Sequence, residues 1–265
     1  MIKRIFKMLL HVLIILVLTI TTQVGGFIYL LTIVFFRKKN RKIKITIFLI
    51  NYSIFSFLIL PYLSPFFGRE KIKNSELIQP NSFVYVLANR NYVVPELNFV
   101  LDRVSKELSK KHKGIKLVYL DANFPFFDGF PLLPHLSHND GKKIDVSLIY
   151  EKDNVVTNKK KSVTGYGVFS GPKKSEYNQI TICKSKGYWQ YDFPKYLTFG
   201  SINKDIEFSK KGTKSLINTI LKQKQVSKLF IEPHLKSRLD LKNKKIRFHG
   251  CQAVRHDDHI HFQLY

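Results

Sequence analysis

Four of the nine histidines in this 265-residue chain crowd between His249 and His261, three of them in His256-Asp257-Asp258-His259-Ile260-His261. Upstream, Ser137-His138-Asn139-Asp140-Gly141-Lys142-Lys143-Ile144-Asp145 offers another imidazole with carboxylates close by. Two imidazoles and a carboxylate suit a catalytic zinc ion, which takes three protein ligands and leaves a fourth position open for water. The spacing is mechanically sensible: His138 at a loop end, Gly141 for a tight turn, and Asp145 entering from an adjoining strand let both side chains converge on one ion. Zinc lowers the pKa of its water toward ~7 and polarises a carbonyl, while a nearby imidazole passes the proton to the leaving group. The chain has no His-Glu-x-x-His segment, so a histidine must carry that proton. Asp257 and Asp258 either orient an imidazole N–H or are solvated turn carboxylates.

Two other chemistries fit parts of this pattern. His138-Asn139-Asp140 with a distal His261 matches the facial triad of non-haem iron oxygenases. That reading leaves Asp145 and the His256–His261 run unexplained, and it predicts metal loss on Asp140→Ala with tolerance of Asp145→Ala. A non-catalytic wall-binding module with structural zinc asks for four ligands rich in cysteine. Cys183 and Cys251 are too scattered for that, although His256 as a fourth ligand would revive it. His11, His112, His135, His234 and His249 read as structural.

The two motifs together, Ser-His-x-x-Gly-x-x-x-Asp at Ser137 to Asp145 and His-Asp-Asp-His-x-His at His256 to His261, resemble those of the lysostaphin and D-Ala-D-Ala metallopeptidase group. They are most similar to those of the penicillin-insensitive murein endopeptidases. The resemblance implies that His138, Asp145 and His261 bind one Zn2+. It implies that His259 assists the attacking water or stabilises the oxyanion, and that His256 lines the site as a proton-transfer or orienting group. It implies a substrate among peptidoglycan peptides, cut at a stem or cross-link bond. The Lys142-Lys143 pair inside the first motif departs from the pattern and puts the bond preference in doubt, as does an expected two-span anchor in place of a cleaved signal.

The elements that must hold these residues are legible in outline. Leu97, Val100, Leu101, Val104 and Leu108 recur at helical spacing after Pro95, and Gly114 closes the helix. Gly212 to Lys222 reads as a second helix. Ser82 to Leu87, Ile115 to Leu120, Ile144 to Tyr150, Ile180 to Cys183, Lys228 to Ile231 and Ile260 to Leu264 read as strands. In the last of these, His259, His261 and Gln263 share one face. The aromatic run Tyr188, Trp189, Tyr191 and Phe193 reads mainly as packing, with a groove wall as the alternative, and Phe124, Phe126, Phe127 and Phe130 form a hydrophobic shoulder. The expected fold class is α+β: a small, largely antiparallel sheet with flanking helices, preceded by two transmembrane helices.

The first 67 residues hold nine basic residues and no acid. Met8 to Phe36 and Ile45 to Phe67 are uncharged and long enough to cross a bilayer core of about 30 Å. The first is too long for a secretory core and lacks a small-residue cleavage site, despite the basic Lys3, Arg4 and Lys7 before it. Residues 37–44 carry six positive charges, which makes that loop cytoplasmic. A hairpin broken at Gly25-Gly26 would keep the basic tail on the same side. The expected organisation is an anchor over 1–67, a juxtamembrane linker over 68–81 and the metallopeptidase domain over 82–265, outside the cytoplasmic membrane. Of the net charge of +25, the part beyond residue 67 is +16. Such a surplus outside the cytoplasm suits anionic membrane lipids or wall polymers, with no nucleic acid among the expected partners. Much of the lysine, as in Lys159 to Lys161, also fits plain solvated loops. An oxidising compartment permits a bond between Cys183 and Cys251.

Overall fold

The structure, a computed structural model, describes residues 1–265. The chain begins with α1 (Ile2–Thr22), α2 (Gly25–Phe35) and α3 (Arg41–Ile54), which continues through a π-turn, α4 (Leu60–Leu63) and a short 3-10 turn as one apolar helix to Phe67. Next come β1 (Glu70–Lys71), β2 (Ile78–Pro80), α5 (Phe83–Leu87), β3 (Tyr92–Val93) and α6 (Pro95–Lys111). β4 (Leu117–Tyr119), β5 (Lys143–Ser147), β6 (Tyr150–Lys152), β7 (Val155–Thr157) and α7 (Gln179–Ser185) follow. The rest is β8 (Glu207–Phe208), α8 (Lys210–Leu221), β9 (Val226–Phe230), α9 (Pro233–Arg238), β10 (Ile246–Arg247) and β11 (His259–Leu264).

The chain divides into two compact units. The first comprises residues 1–72, 84–95 and 122–141. Two of its helices, Ile2–Thr22 and the continuous Arg41–Phe67, are long and apolar enough to cross a membrane. The apolar stretch Met8 to Phe36 is not one helix: it turns at Gln23-Val24 into the shorter α2. Close packing explains the turn. A Cβ on Gly26 would lie 2.0 Å from Thr19 Oγ1, so α2 can fold back against α1 only with glycine there. The end of this hairpin is tied to later chain. Gln23 donates from Nε2 to the Phe126 carbonyl at 2.9 Å and accepts from the Phe126 amide at 2.9 Å. Asn89 Nδ2 reaches the Thr22 carbonyl, Tyr52 Oη and Ser56 Oγ at 3.2–3.3 Å. Val24, Ile28, Leu60 and Tyr92 form the buried core, with Phe48, Tyr52, Phe55 and Phe126 packed on it.

The second unit comprises residues 73–83, 96–121 and 142–265. Its six-stranded sheet has the order β10-β9-β11-β5-β4-β2. The three central pairings are antiparallel, as expected, but both edge pairings, β10 with β9 and β2 with β4, are parallel, so the sheet is mixed. A parallel pair needs a crossover. Helices supply it in both cases, with α6 between β2 and β4 and α9 between β9 and β10. Along α6, Leu97, Val100, Leu101, Val104 and Leu108 are fully buried at the expected spacing. Glu96 in its first turn and Lys110 and Lys111 in its last complement the helix dipole. Ser209 caps α8 by accepting from the Gly212 amide.

Four expected segments differ. Phe83–Leu87 is the helix α5 instead of a strand, because an unbroken apolar run carries no period to choose between the two. Ile180 to Cys183 lies in α7, whose start is set by the Asn178 side chain accepting from the Thr181 amide. The segment 68–81, expected as a linker, contains β1 and the sheet's edge strand β2. Ile144 to Tyr150 is also split, at Leu148 and Ile149, into β5 and β6 of a separate three-stranded sheet β7-β6-β8. Cys183 and Cys251 form a disulfide, which fits an extracytoplasmic domain.

Candidate metal centre

β5 and β11 are neighbours in the sheet, and their register sets His261 directly opposite Asp145. Paired residues on adjacent strands project to the same face. Two side chains 116 positions apart in sequence therefore meet, with His261 Nδ1 2.9 Å from Asp145 Oδ1. Asp145 is pinned from both sides by backbone: its amide donates to the Asp121 carbonyl and its carbonyl accepts from Leu120, each at 2.8 Å.

His138 completes the group. The potential ligand atoms of His138, Asp145 and His261 all lie within 4.8 Å of one another, and the three residues are buried. His138 Nδ1–H donates to the Ala122 carbonyl at 2.7 Å, which fixes the tautomer that presents a lone pair at Nε2. A backbone carbonyl in that position is a common orienting partner of a metal-bound histidine. Gly141, between His138 and Asp145, has φ +76° and makes the turn that the spacing asks for. A Cβ there would lie 2.4 Å from Arg69 Nε. Asp140 does not belong to the group.

Around the three stand the C-terminal histidines. The His259 ring is 4.7 Å from that of His256 and T-shaped to Tyr166 at 5.0 Å. His259 Nδ1–H donates to Asp258 Oδ1 at 2.5 Å, so Asp258 is the orienting carboxylate. Asp258 Oδ2 in turn accepts from the Gly167 amide at 2.5 Å. Gly167 cannot carry a side chain, since its Cβ would fall 2.2 Å from the Pro194 carbonyl oxygen. Asp257 plays a different part, forming a two-pronged ion pair with Arg255, which also holds Asp192. Burial opposes charge on His259, but Asp145 and Asp258 outweigh it and push the imidazole up to about 9. His256 moves the other way, well below the usual imidazole range, through burial and the neighbouring His259, His261 and His249. The centre thus places a neutral imidazole next to one that readily holds a proton.

Several of its members carry no motif. Tyr166 Oη donates to Asp145 Oδ2 at 2.7 Å. Glu232 accepts from the His256 amide at 3.0 Å and from Tyr191 Oη at 2.7 Å. Burial, with Asp257 nearby, pushes the Glu232 carboxyl up to about 7. His249, read as structural, stacks on His256 with ring centroids 5.3 Å apart. No local sequence signal marks these residues, since they reach the centre only through the sheet and its loops. Of the aromatic run, Tyr191 is fully buried and Trp189 is exposed.

Compared with known protein families and with characterised proteins, the chain matches none.

Two imidazoles and one carboxylate, buried and clustered, suit zinc on donor type, and three ligands leave room for a water. Tetrahedral ligands at ~2.1 Å from an ion stand about 3.4 Å apart. The 2.9 Å between His261 Nδ1 and Asp145 Oδ1 is a hydrogen-bond separation, shorter than that edge, so the two atoms would part by about 0.5 Å around an ion. The residues present fit the ion.

Proposed function

We propose that the chain is a membrane-anchored zinc metallopeptidase that hydrolyses peptide bonds in peptidoglycan stem peptides or cross-links outside the cytoplasmic membrane. The observation that carries this reading is the buried convergence of His138, Asp145 and His261, three residues separated in sequence and matched to the two motifs. The involvement of Asp145, with Asp140 outside the group, favours a hydrolytic zinc centre over an iron facial triad. Anchoring is supported by the two long apolar helices. It is supported too by the bonds from Thr22 and Gln23 to Asn89 and Phe126, which a removable leader would not make.

His138, Asp145 and His261 would hold the ion, which when bound supplies Lewis acidity toward a water and the scissile carbonyl. Tyr166 holds Asp145 in position through Oδ2. His259, steadied by Asp258 and already holding a proton, would stabilise the oxyanion and give that proton to the leaving amine, while the neutral His256 would accept the proton of the attacking water.

The test uses the full chain in lipid nanodiscs, comparing wild type with His261→Ala for bound metal and for muropeptides released from peptidoglycan. About one zinc per chain and cleaved peptides, both lost in the variant, support the peptidase. Bound zinc without cleavage points to a wall-binding module, and absence of metal overturns both.

A further inference from the structure

The continuous helix Arg41–Phe67 is 27 residues long, or about 40 Å at 1.5 Å per residue, more than the ~30 Å bilayer core. Asn89 bonds the Thr22 carbonyl, Tyr52 and Ser56 together, so α1 ends level with the middle of this helix. Beyond that level its neighbours are later segments of the chain. Tyr52 Oη donates to the Leu87 carbonyl at 2.5 Å, Leu60 and Tyr92 share a core, and Phe67 packs on Phe126 and Phe127 at 4.6 and 5.3 Å. The other flank of the same half is a bare apolar row at i, i+4 and i+8: Leu58, Tyr62 and Phe66 are 62%, 78% and 85% exposed. In the segments that pack on this half, Val84 and Phe127 are each 62% exposed and Leu87 41%. Of the charged residues that follow, Arg69 is buried and paired with Asp128, and Lys71 lies over the Phe57 ring.

A row of large apolar side chains this open is an interaction surface. Its continuity with an apolar helix of spanning length fits one partner, a lipid bilayer. We infer that Val84 and Leu87 of α5 and the turn at Phe127 are inserted into the interfacial layer of the membrane beside the second half of the helix. The unit then holds the membrane by a helical anchor and by an apolar foot built from residues far along the chain. The loop 122–141 that carries Phe127 also carries His138. On the peptidase reading proposed above, and resting on it, the reaction occurs at the bilayer surface and favours peptides still linked to lipid over those of distant wall.

The experiment reads lipid contact without activity, so it stands apart from the peptidase reading. Val84→Cys and Phe127→Cys in the full chain are labelled with an environment-sensitive fluorophore, the native cysteines being joined to each other. The variants are placed in phosphatidylglycerol-containing nanodiscs bearing nitroxide lipids. Leu58→Cys is the lipid control and the exposed Val155→Cys the water control. Quenching at 84 and 127 close to that at 58, and several-fold above that at 155, is expected. Quenching no greater than at 155 overturns the inference, as does label-to-label contact between copies in place of quenching, which assigns the surface to a second copy. Photoactivatable lipids on the wild-type chain give a check free of substitutions. Adducts on residues 84–87 and 126–127 are expected, and adducts confined to residues 1–67 overturn it.

Discussion

Each of the three candidate ligands is held by its own device: His138 by the Ala122 carbonyl, Asp145 by Tyr166 and two backbone bonds, His261 by its register opposite Asp145. Removal of any one should abolish stoichiometric zinc, whereas Asp140→Ala should retain it; metal analysis of the purified full chain separates these outcomes. Tyr166→Phe leaves every ligand in place and removes the bond to Asp145 Oδ2 together with the one Oη accepts from the Asp121 amide, so zinc affinity should fall by ~10–100-fold, measurable by competition with a chelator. Glu232 gives a prediction in pH. Its folded carboxyl titrates near 7, above the unfolded value near 4.5, so the folded chain binds the proton more tightly. The stability this contributes is complete below pH 4.5 and is lost as pH rises through 7, amounting to about 3 kcal/mol at ~1.4 kcal/mol per pH unit. Glu232→Gln should flatten that part of the stability curve; an unchanged slope between pH 4.5 and 7 would refute the assignment.

At the scale of elements, the centre depends on how β5 and β11 pair and on how the chain between His256 and His261 is held. α7 is joined to that chain by the disulfide Cys183–Cys251, which spans 68 positions and lies five residues before His256. Closing a loop of that length removes roughly 4 kcal/mol of unfolded-state entropy. The double variant Cys183→Ser, Cys251→Ser should therefore melt on the order of 10 °C lower, by calorimetry. Gly141 is the other pivot. A side chain at its positive φ meets the Arg69 guanidinium, so Gly141→Val should cost at least about 1–3 kcal/mol and weaken metal binding by disturbing the turn between His138 and Asp145. Arg69→Ala in the same background should relieve the collision, and equal loss with and without Arg69 would show that the backbone alone is at fault.

Across the whole molecule, the anchor is also a structural partner of the loop that bears His138. Residues 84–95 and 122–141 belong to the same compact unit as the N-terminal helices, through Gln23 with Phe126, Asn89 with Tyr52 and Ser56, and Phe67 with Phe126. A chain begun at residue 70 loses all of these contacts and exposes Tyr92 and Phe126. It should bind zinc far more weakly than the full chain and show rapid amide exchange over residues 122–141. Tight metal binding with protected amides in the truncated chain would show the loop to be self-supporting.

The sequence by itself determined the candidate metal-binding residues and the strongly periodic elements. Metal ligation accepts few residue types, so His138, Asp145 and the His256–His261 run stood out. Helix α6 and the strands around Asp145 and His261 followed from apolar periods that burial enforces. The fold class was legible, and so were the apolar lengths of the N-terminal helices. Only the tertiary structure decided that the first apolar stretch folds back at Gln23, because uniform hydrophobicity carries no mark of a turn. It also decided that α5 and α7 are helices and that residues 68–81 supply a sheet edge, since short runs take their conformation from what they pack on. Tyr166, Glu232 and His249 entered the centre by the same route. Their places follow from strand register and loop closure, long-range relations that no local spacing encodes.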